Sequence, residues 1–240
     1  MKVKPNAQPN QSLIDGIATL QALAASPAPV GNRELARQLG FDATRVNRLL
    51  KTLAYLGIAR QTANRKYTSG PGMHVLAAQS LFASGLIRNA LPVLEKLRRF
   101  GHTVALGVLW RDNVSYLFHA PPTVETAQGL GRIGLLPASS SGIGMALLAQ
   151  YDDEYVAGLY ADKEEIPSFP GGLPALLAAL AQVRAQGYSR VAVGPDLDRH
   201  TIAVTVENIG AAVGVSGWIP EANTDLIVEA LRQAAQEIRD

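Results

Sequence analysis

A glycine between two short helical patterns near the start of the chain is the feature that most restricts the fold. Residues 32–39 form an amphipathic helical pattern, and Gly40 offers the left-handed backbone conformation in which many helices end. Asp42 is a favourable N-cap for the next helix, whose apolar residues recur at helical spacing. These residues are Val46, Leu49, Leu50 and Leu53. A helix, a tight glycine turn and a second helix predict a helix-turn-helix.

The opposite face of the helix after Gly40 is polar and cationic, as suits a helix that enters the major groove of DNA. Arginine can pair with guanine, asparagine with adenine and lysine with a phosphate. Residues 58–61 and 66–68 have the pattern of two short strands around a polar hairpin, which completes a winged helix-turn-helix. The side chains predicted to bind DNA are Arg33, Thr44, Arg45, Asn47, Arg48, Lys51, Arg65 and Lys66. An ordinary amphipathic surface helix is the alternative interpretation.

The charge is distributed unevenly along the chain. The whole chain has a net charge of +2, but residues 1–70 carry ten lysines and arginines and only three aspartates and glutamates. The net charge of these residues is +7, and that of the remaining residues is −5. A basic segment joined to an acidic one is consistent with a DNA-facing module attached to a module with another task. A charged run is also typical of a solvated face.

The composition excludes several classes of protein and site. The 240 residues include no cysteine, which excludes disulfide scaffolds, zinc fingers, thiolate-bound iron–sulfur clusters and cysteine nucleophiles. The four histidines lack the short spacing of a metal site, and we expect no metal and no cofactor. Residues 1–10 lack the apolar core of a signal peptide, and glycine, proline or serine interrupts the uncharged stretches 67–87 and 133–151. We expect a cytoplasmic protein without a membrane span.

The remainder of the chain mixes helical patterns with pairs of strands, which predicts an α+β domain. Helices are predicted over residues 87–100, 142–150, 152–160, 173–186 and 224–238, and strands over 103–110, 114–119, 188–193, 201–207 and 211–218. In the first part of the chain, Ser12 is the predicted N-cap of the opening helix, and an apolar helix resumes at Met73 after a break at residues 70–72.

These elements predict an α/β two-domain protein. Its first domain, residues 1–70, is a mostly α winged helix-turn-helix, and residues 71–86 form a linker helix. Residues 87–240 form the α+β domain.

Two motifs in the second domain suggest chemistry. Residues 129–134 match the glycine spacing of a dinucleotide-binding loop, but no buried strand precedes them and Pro137 interrupts the helix that should follow. We expect a loop near a ligand site there.

Ser139 and Ser141 place hydroxyl groups just before a helix that starts at Gly142, where free backbone N–H groups attract anions.

A hydrolase with a basic assembly module is the alternative function. One serine of the segment 139–141 would be its nucleophile. The candidate bases are His119 and His200, and the candidate carboxylates that orient them are Asp196 and Asp198. The serines lack the G-x-S-x-G pattern of a nucleophile elbow, and nothing in the sequence brings a histidine close to them. We therefore expect a protein that is not an enzyme.

Motifs spread along the chain resemble those of the IclR-type family of bacterial transcriptional regulators. They are the stretches 34–40, 46–53 and 56–57 in the first domain and 141–149, 187–188, 202–203 and 213–217 in the second. The resemblance implies a homodimer or a dimer of dimers that binds a palindromic operator in double-stranded DNA, more often as a repressor. It also implies a GAF-like second domain that binds a small organic acid or an aromatic effector.

The resemblance also implies the positions that bind the effector. They are Ser139, Ser141, Gly142, Ile143, Val191, Thr201, Gly214 and Ser216. Val191 stands where the family often has aspartate, Thr201 where it often has cysteine, and Gly214 where it often has serine. Because an apolar wall cannot satisfy a carboxylate, we expect an effector bulkier or more apolar than a two- or three-carbon keto acid. In the first domain Asp15 stands in place of a frequent arginine, so a cationic contact is expected to be missing there.

Overall fold

The computed structural model describes residues 8–131, 134–194 and 196–239. The chain divides between Ser84 and Gly85 into two units, which we call the head and the body. The division lies within the segment that the sequence predicts to be a linker helix. In the described part of the chain, no helix is both long enough and apolar enough to cross a membrane.

The head is a winged helix-turn-helix, which confirms the prediction. Its elements are α1 (Gln11–Ala25), α2 (Asn32–Leu39), α3 (Ala43–Tyr55), β1 (Ala59–Gln61), β2 (Tyr67–Ser69) and α4 (Pro71–Ser84). Gly40 has a φ of +66° and turns the chain between α2 and α3. The Asp42 carboxylate accepts the backbone N–H groups of Thr44 and Arg45 at 2.8 and 3.1 Å, as expected of an N-cap. β1 and β2 pair antiparallel and form the wing.

The first helix differs from its prediction at its start, and two of the residues that it buries are polar. Asn10 is the N-cap, not Ser12, because its side-chain oxygen accepts the N–H of Leu13 at 3.1 Å. Ser12 therefore lies inside the first turn. The buried residues of α1 are Asp15, Thr19 and Leu23. Three of its apolar residues are instead exposed: Leu13, Ile14 and Ile17.

The fourth helix begins at Pro71, the first residue of the predicted linker helix, so only Gly70 of the expected break at residues 70–72 lies outside a helix. Proline is well tolerated in the first turn of a helix, where its missing N–H would have no helical partner. A Cβ on Gly70 or Gly72 would lie 2.5 or 2.9 Å from the carbonyl oxygen of Gly57. These glycines therefore allow a close backbone approach.

The body is an α+β domain with one six-stranded sheet, which confirms the predicted class. Its helices are α5 (Leu86–Leu97), α6 (Gly142–Leu148), α7 (Asp153–Tyr160), α8 (Gly172–Gln186) and α9 (Thr224–Arg239). Its strands are β3 (Thr103–Trp110), β4 (Asn113–Ala120), β5 (Leu135–Pro137), β6 (Ser189–Val193), β7 (Arg199–Val206) and β8 (Ala211–Gly217). The strand order is β5-β4-β3-β8-β7-β6, and all neighbouring strands are antiparallel.

The two faces of this sheet carry side chains of different size. The face under α5 and α9 carries large aliphatic residues: Val104, Leu106, Ile202, Val204, Val213 and Val215. Alternate residues of the same strands point to the other face and are small. They are Ala105, Gly107, Ala203, Ala212 and Gly214. A Cβ on Gly107 would lie 2.9 Å from Ile143 of α6. Small strand residues therefore let α6, all of whose residues are buried, approach the sheet closely.

The strand β5 is absent from the sequence prediction. It pairs with residues 113–115 of β4 at the edge of the sheet. Proline is tolerated in an edge strand, because its missing N–H leaves no ladder hydrogen bond unmade there. The proline of this segment, Pro137, therefore ends a strand and interrupts no helix.

The glycine-rich segment 129–134 is partly a core element. Gly129 is buried at the end of a short 3₁₀ helix, Thr126–Gly129. A Cβ on Gly129 would lie 2.7 Å from the ring of Phe118, so this glycine is needed for packing. Residues 132 and 133 lie outside the described residues.

Candidate functional sites

α3 and the wing present the predicted DNA-binding side chains to solvent. Seven of these eight residues are exposed, and Asn47 is half-buried. Thr44, Arg45, Asn47, Arg48 and Lys51 lie on α3, Arg33 lies on α2, and Arg65 and Lys66 lie in the turn between β1 and β2. The structure thus brings all eight into the head. All eight lie within a segment of 34 residues that includes the helix-turn-helix and the wing.

The cations of this set differ in whether they have an acidic partner. Five of them form no ion pair with a carboxylate among the residues that the structure describes: Arg33, Arg48, Lys51, Arg65 and Lys66. Their charge therefore remains available to an anionic ligand such as DNA. The nearby carboxylate of Asp42 caps α3 instead. Hydrogen bonds from the backbone N–H groups of Arg45 and Thr44 lower the pKa of Asp42.

Arg45 is the exception, because it forms an ion pair with Asp15 of α1. Asp15 also accepts the side-chain N–H of Gln11 at 2.8 Å. The guanidinium of Arg45 lies over the ring of Phe41, 5.6 Å from its centroid. The sequence predicts only a missing cation at position 15. The structure adds that the carboxylate there holds a predicted DNA-binding arginine.

The body holds a cavity of about 240 Å³ on the small-residue face of its sheet. Five of the eight predicted effector positions line it: Ser141, Ile143, Thr201, Gly214 and Ser216. Sequence reasoning did not predict the eight further lining residues as effector positions, namely Thr103, Ala105, Tyr116, His119, Leu136, Ser140, Val193 and Val215. These residues lie on several strands and on the turn before α6, so only the assembled sheet brings them together.

The other three predicted effector positions do not line the cavity. Ser139 is buried. Gly142 packs against Thr201, since a Cβ there would lie 2.6 Å from the Thr201 methyl carbon. Its carbonyl oxygen accepts the hydroxyl of Ser189 at 2.6 Å. Val191 packs in the core beneath α6 and α8, while Val193, two residues further along β6, lines the cavity.

Hydroxyl groups are the main polar groups of the cavity, and they pair with one another. The Tyr116 and Ser141 hydroxyl oxygens lie 2.7 Å apart, and Ser141 also accepts the N–H of Gly144 at 3.1 Å. Thr201 donates to the hydroxyl of Ser216 at 2.9 Å. Burial raises the pKa of Tyr116, so its phenol is neutral at physiological pH. No aspartate, glutamate, lysine or arginine is among the described residues that line this cavity.

The arrangement differs from that of a serine hydrolase. The Ser141 hydroxyl pairs with Tyr116 rather than with a histidine. The ring of His119 lies edge-on to Tyr116 with their centroids 5.8 Å apart, and His200 lies on β7 outside the cavity lining. The two candidate carboxylates, Asp196 and Asp198, are exposed. The described residues also include no group of three or more histidines and carboxylates placed to hold a metal ion.

Two family models match the chain and together cover most of it. The IclR helix-turn-helix domain matches residues 13–63, and the C-terminal domain of the bacterial transcriptional regulator IclR matches residues 78–240. The chain belongs to the IclR family. It is therefore a DNA-binding transcriptional regulator with its helix-turn-helix in the head.

A curated relative agrees with this assignment, and solved structures have the same fold. The acetate operon repressor of Salmonella typhimurium is 30% identical in an alignment 194 residues long that covers 75% of this chain and 68% of that protein. An IclR family regulator from Brucella abortus has the same fold, with a TM-score of 0.75 at 24% identity over 96% of this chain and 92% of its own. An IclR homologue from Microbacterium hydrocarbonoxydans, complexed with 4-hydroxybenzoate, has a TM-score of 0.68 at 23% identity and covers 95% and 97% of the two chains.

Proposed function

We propose that this IclR-family regulator is an effector-responsive repressor whose head binds an operator through α3 and the wing. The observation that carries this proposal is the exposed polar face of α3, where Arg48 and Lys51 have no acidic partner among the described residues. In a helix-turn-helix the second helix lies in the major groove and its side chains contact base edges. Arg48 pairs with a base or a phosphate, and Arg65 and Lys66 contact the adjacent backbone or minor groove.

Replacing Arg48 with alanine tests the assignment of α3. The probe is a duplex enriched from a randomised library by the wild-type protein, and fluorescence anisotropy at fixed salt gives the Kd. We expect Arg48→Ala to weaken binding at least about tenfold, because one good base contact is worth about 1–3 kcal/mol. Arg37→Ala is the matched control, since Arg37 is exposed on α2 outside the predicted set. An Arg48→Ala variant with the wild-type Kd would overturn the assignment.

The effector is a small, partly apolar organic compound that binds in the cavity of the body. The walls contributed by Ala105, Ile143 and Leu136 are apolar, and the hydroxyl pairs supply hydrogen bonds at fixed positions. An apolar cavity of about 150 Å³ accepts benzene, so the larger cavity of this protein has room for a single ring with small polar substituents. Catalysis is not part of the proposed function.

Calorimetry with matched ligands tests this effector class. We expect 4-hydroxybenzoate to bind at least about tenfold more tightly than glyoxylate or pyruvate, because only the ring fills the apolar walls. Thr201→Val removes one lining hydroxyl and should weaken binding, while Val191→Thr changes a residue outside the lining and should not. Tight binding of glyoxylate or pyruvate would contradict the proposal.

The regulator acts as a homodimer or a dimer of dimers on a palindromic operator. Apolar residues of the head are exposed on two helices: Leu13, Ile14 and Ile17 on α1, and Val75, Leu76, Leu81 and Phe82 on α4. A second copy of the chain would bury them, because contiguous exposed apolar surface favours association. Effector binding would then shift the population of dimers competent to bind two half-sites about one helical turn apart. Sedimentation of the variant Leu76→Asp tests this interface. We expect the variant to be monomeric.

A further inference from the structure

Asp15 is a charged residue in the interior of the head. Its side chain is 2% exposed. It lies on the buried face of α1 together with Thr19 and Leu23. An isolated buried carboxylate is strongly unfavourable, so such a group is normally paired. Arg45 of α3 provides the opposite charge, and Gln11 provides a hydrogen bond at 2.8 Å. The buried charge therefore links α1 to the first turn of α3.

Arg45 is held from two sides but is not covered. Its guanidinium contacts Asp15 on one side and lies over the ring of Phe41 on another, while 45% of its side chain is exposed. A guanidinium has five N–H donors, and only the Nη2 end of this one faces Asp15. The remaining donors are available at the start of α3, beside exposed Thr44 and one turn before exposed Arg48.

We propose that Asp15 is a positioning residue for operator recognition: it fixes the guanidinium of Arg45 in the orientation that pairs with a guanine. This inference rests on the proposed DNA-binding role of α3. A bidentate contact to guanine requires a defined orientation of the guanidinium plane. An arginine that is already held loses less side-chain entropy when it forms that contact. Arg48 and Lys51, which have no such partner among the described residues, supply charge without this constraint.

The same carboxylate weakens binding to DNA of any other sequence. Asp15 offsets the charge of Arg45, and attraction to phosphates depends on the number of cations and not on the base sequence. Asp15 therefore raises the affinity for the operator relative to the affinity for other duplexes. A residue that only stabilised the head would instead change both affinities in the same direction.

The isosteric variant Asp15→Asn separates these effects. The Kd is measured by anisotropy at fixed salt for two duplexes of equal composition, one enriched by the wild-type protein and one with its sequence scrambled. We expect the ratio of the two affinities to fall roughly tenfold, with binding to the scrambled duplex equal to or tighter than that of wild type. Glu34→Gln is the charge-matched control, because it removes an exposed carboxylate from α2 and should leave the ratio unchanged.

A double-mutant cycle shows whether Asp15 acts through Arg45. In an Arg45→Ala background, Asp15→Asn should have no further effect on the ratio. If the loss persists there in full, Asp15 acts through the packing of α1 and the proposal is wrong. Arg45→Lys keeps the charge but loses the forked geometry. It should also lower the ratio, and it tests the same contact if Asp15→Asn does not fold.

Two outcomes distinguish this inference from the proposed function. If the wild-type protein enriches no duplex, both the DNA-binding role of α3 and the positioning role fail. If Arg48→Ala weakens binding but Asp15→Asn and Arg45→Lys keep the wild-type ratio, the positioning role alone is overturned.

Discussion

The head and the body present their polar groups in opposite ways. In the head, cations stand on the surface, and the candidate DNA-binding residues all come from positions 33–66. In the body, hydroxyl groups lie inside a cavity whose described lining includes no aspartate, glutamate, lysine or arginine, and these residues come from positions 103–216. The head can therefore act on a large anion through long-range attraction, whereas the body can select a small molecule only by shape and short hydrogen bonds.

The two regions also depend on packing to different degrees. Apart from Arg45, which pairs with buried Asp15, the candidate DNA-binding side chains of α3 project from a helix that Val46, Leu50 and Leu53 anchor. Replacing those candidate side chains leaves the core of the head intact. The cavity exists because small residues on one face of the sheet admit α6. A substitution at Gly107 or Gly142 would place atoms within 3 Å of neighbouring side chains. Function and stability are thus separable at most candidate positions of the head and coupled in the body.

The largest expected contrast between head and body is in the response to salt. DNA binding by the head should weaken roughly a thousandfold between about 50 and 200 mM salt if about six phosphates are neutralised. Effector binding by the body should change little, because no aspartate, glutamate, lysine or arginine is among the described lining residues. Anisotropy with duplex DNA and calorimetry with 4-hydroxybenzoate over the same salt series measure both. A steep salt dependence of effector binding would show that a charged group enters the site.

The local patterns of the head explain why sequence reasoning predicted it well. Gly40 and Asp42 terminate and cap neighbouring helices through contacts within four residues, and such contacts can be inferred from spacing alone. The ion pair of Asp15 with Arg45 joins residues 30 positions apart. The signal that could have indicated it is the place of Asp15 four residues before Thr19 on the buried stripe of α1.

The cavity of the body was less predictable, because it forms from strand pairing. Tyr116 faces the cavity because β4 pairs with β3, and a bulge between Leu106 and Gly107 shifts the register there. Alternation along β4 alone cannot reveal such a shift. β5 was missed because its three residues have no periodic pattern and include a proline. Family motifs located Ser141 and Thr201 at the cavity, but they do not indicate that Val193 lines it in place of Val191.

The next largest expected effect concerns packing in the body, and it is tested at Gly144 of α6. A Cβ at this position would lie 2.2 Å from the carbonyl oxygen of Ala138. Because backbone atoms must move to accept it, we expect Gly144→Ala to lower the free energy of unfolding of the body by about 3 kcal/mol or more. Both tryptophans, Trp110 and Trp218, lie in the body. Tryptophan fluorescence during urea denaturation therefore reports on this unit.

A second glycine of the body serves as the control for Gly144. Gly158 lies in α7, and a Cβ added there would meet no packing neighbour within 4 Å. Gly158→Ala should therefore raise the free energy of unfolding by about 0.5–1 kcal/mol, because alanine loses less backbone entropy than glycine in a helix. If Gly144→Ala behaved like Gly158→Ala, the close approach of α6 would not be required for the stability of the body.

The smallest expected effect is the response of the body to alkaline pH. Burial raises the pKa of Tyr116 above that of the unfolded chain, so its contribution to stability is fully present below the unfolded pKa of about 10 and is lost as the pH rises through the folded pKa. Tyr116→Phe should therefore reduce the alkaline loss of stability measured by tryptophan fluorescence in urea. Tyr55→Phe, which changes an exposed residue of the head, should leave the alkaline behaviour of the body unchanged. An identical alkaline loss in Tyr116→Phe and wild type would mean that the phenol of Tyr116 is solvated in the cavity and that its burial does not contribute to the pH dependence of stability.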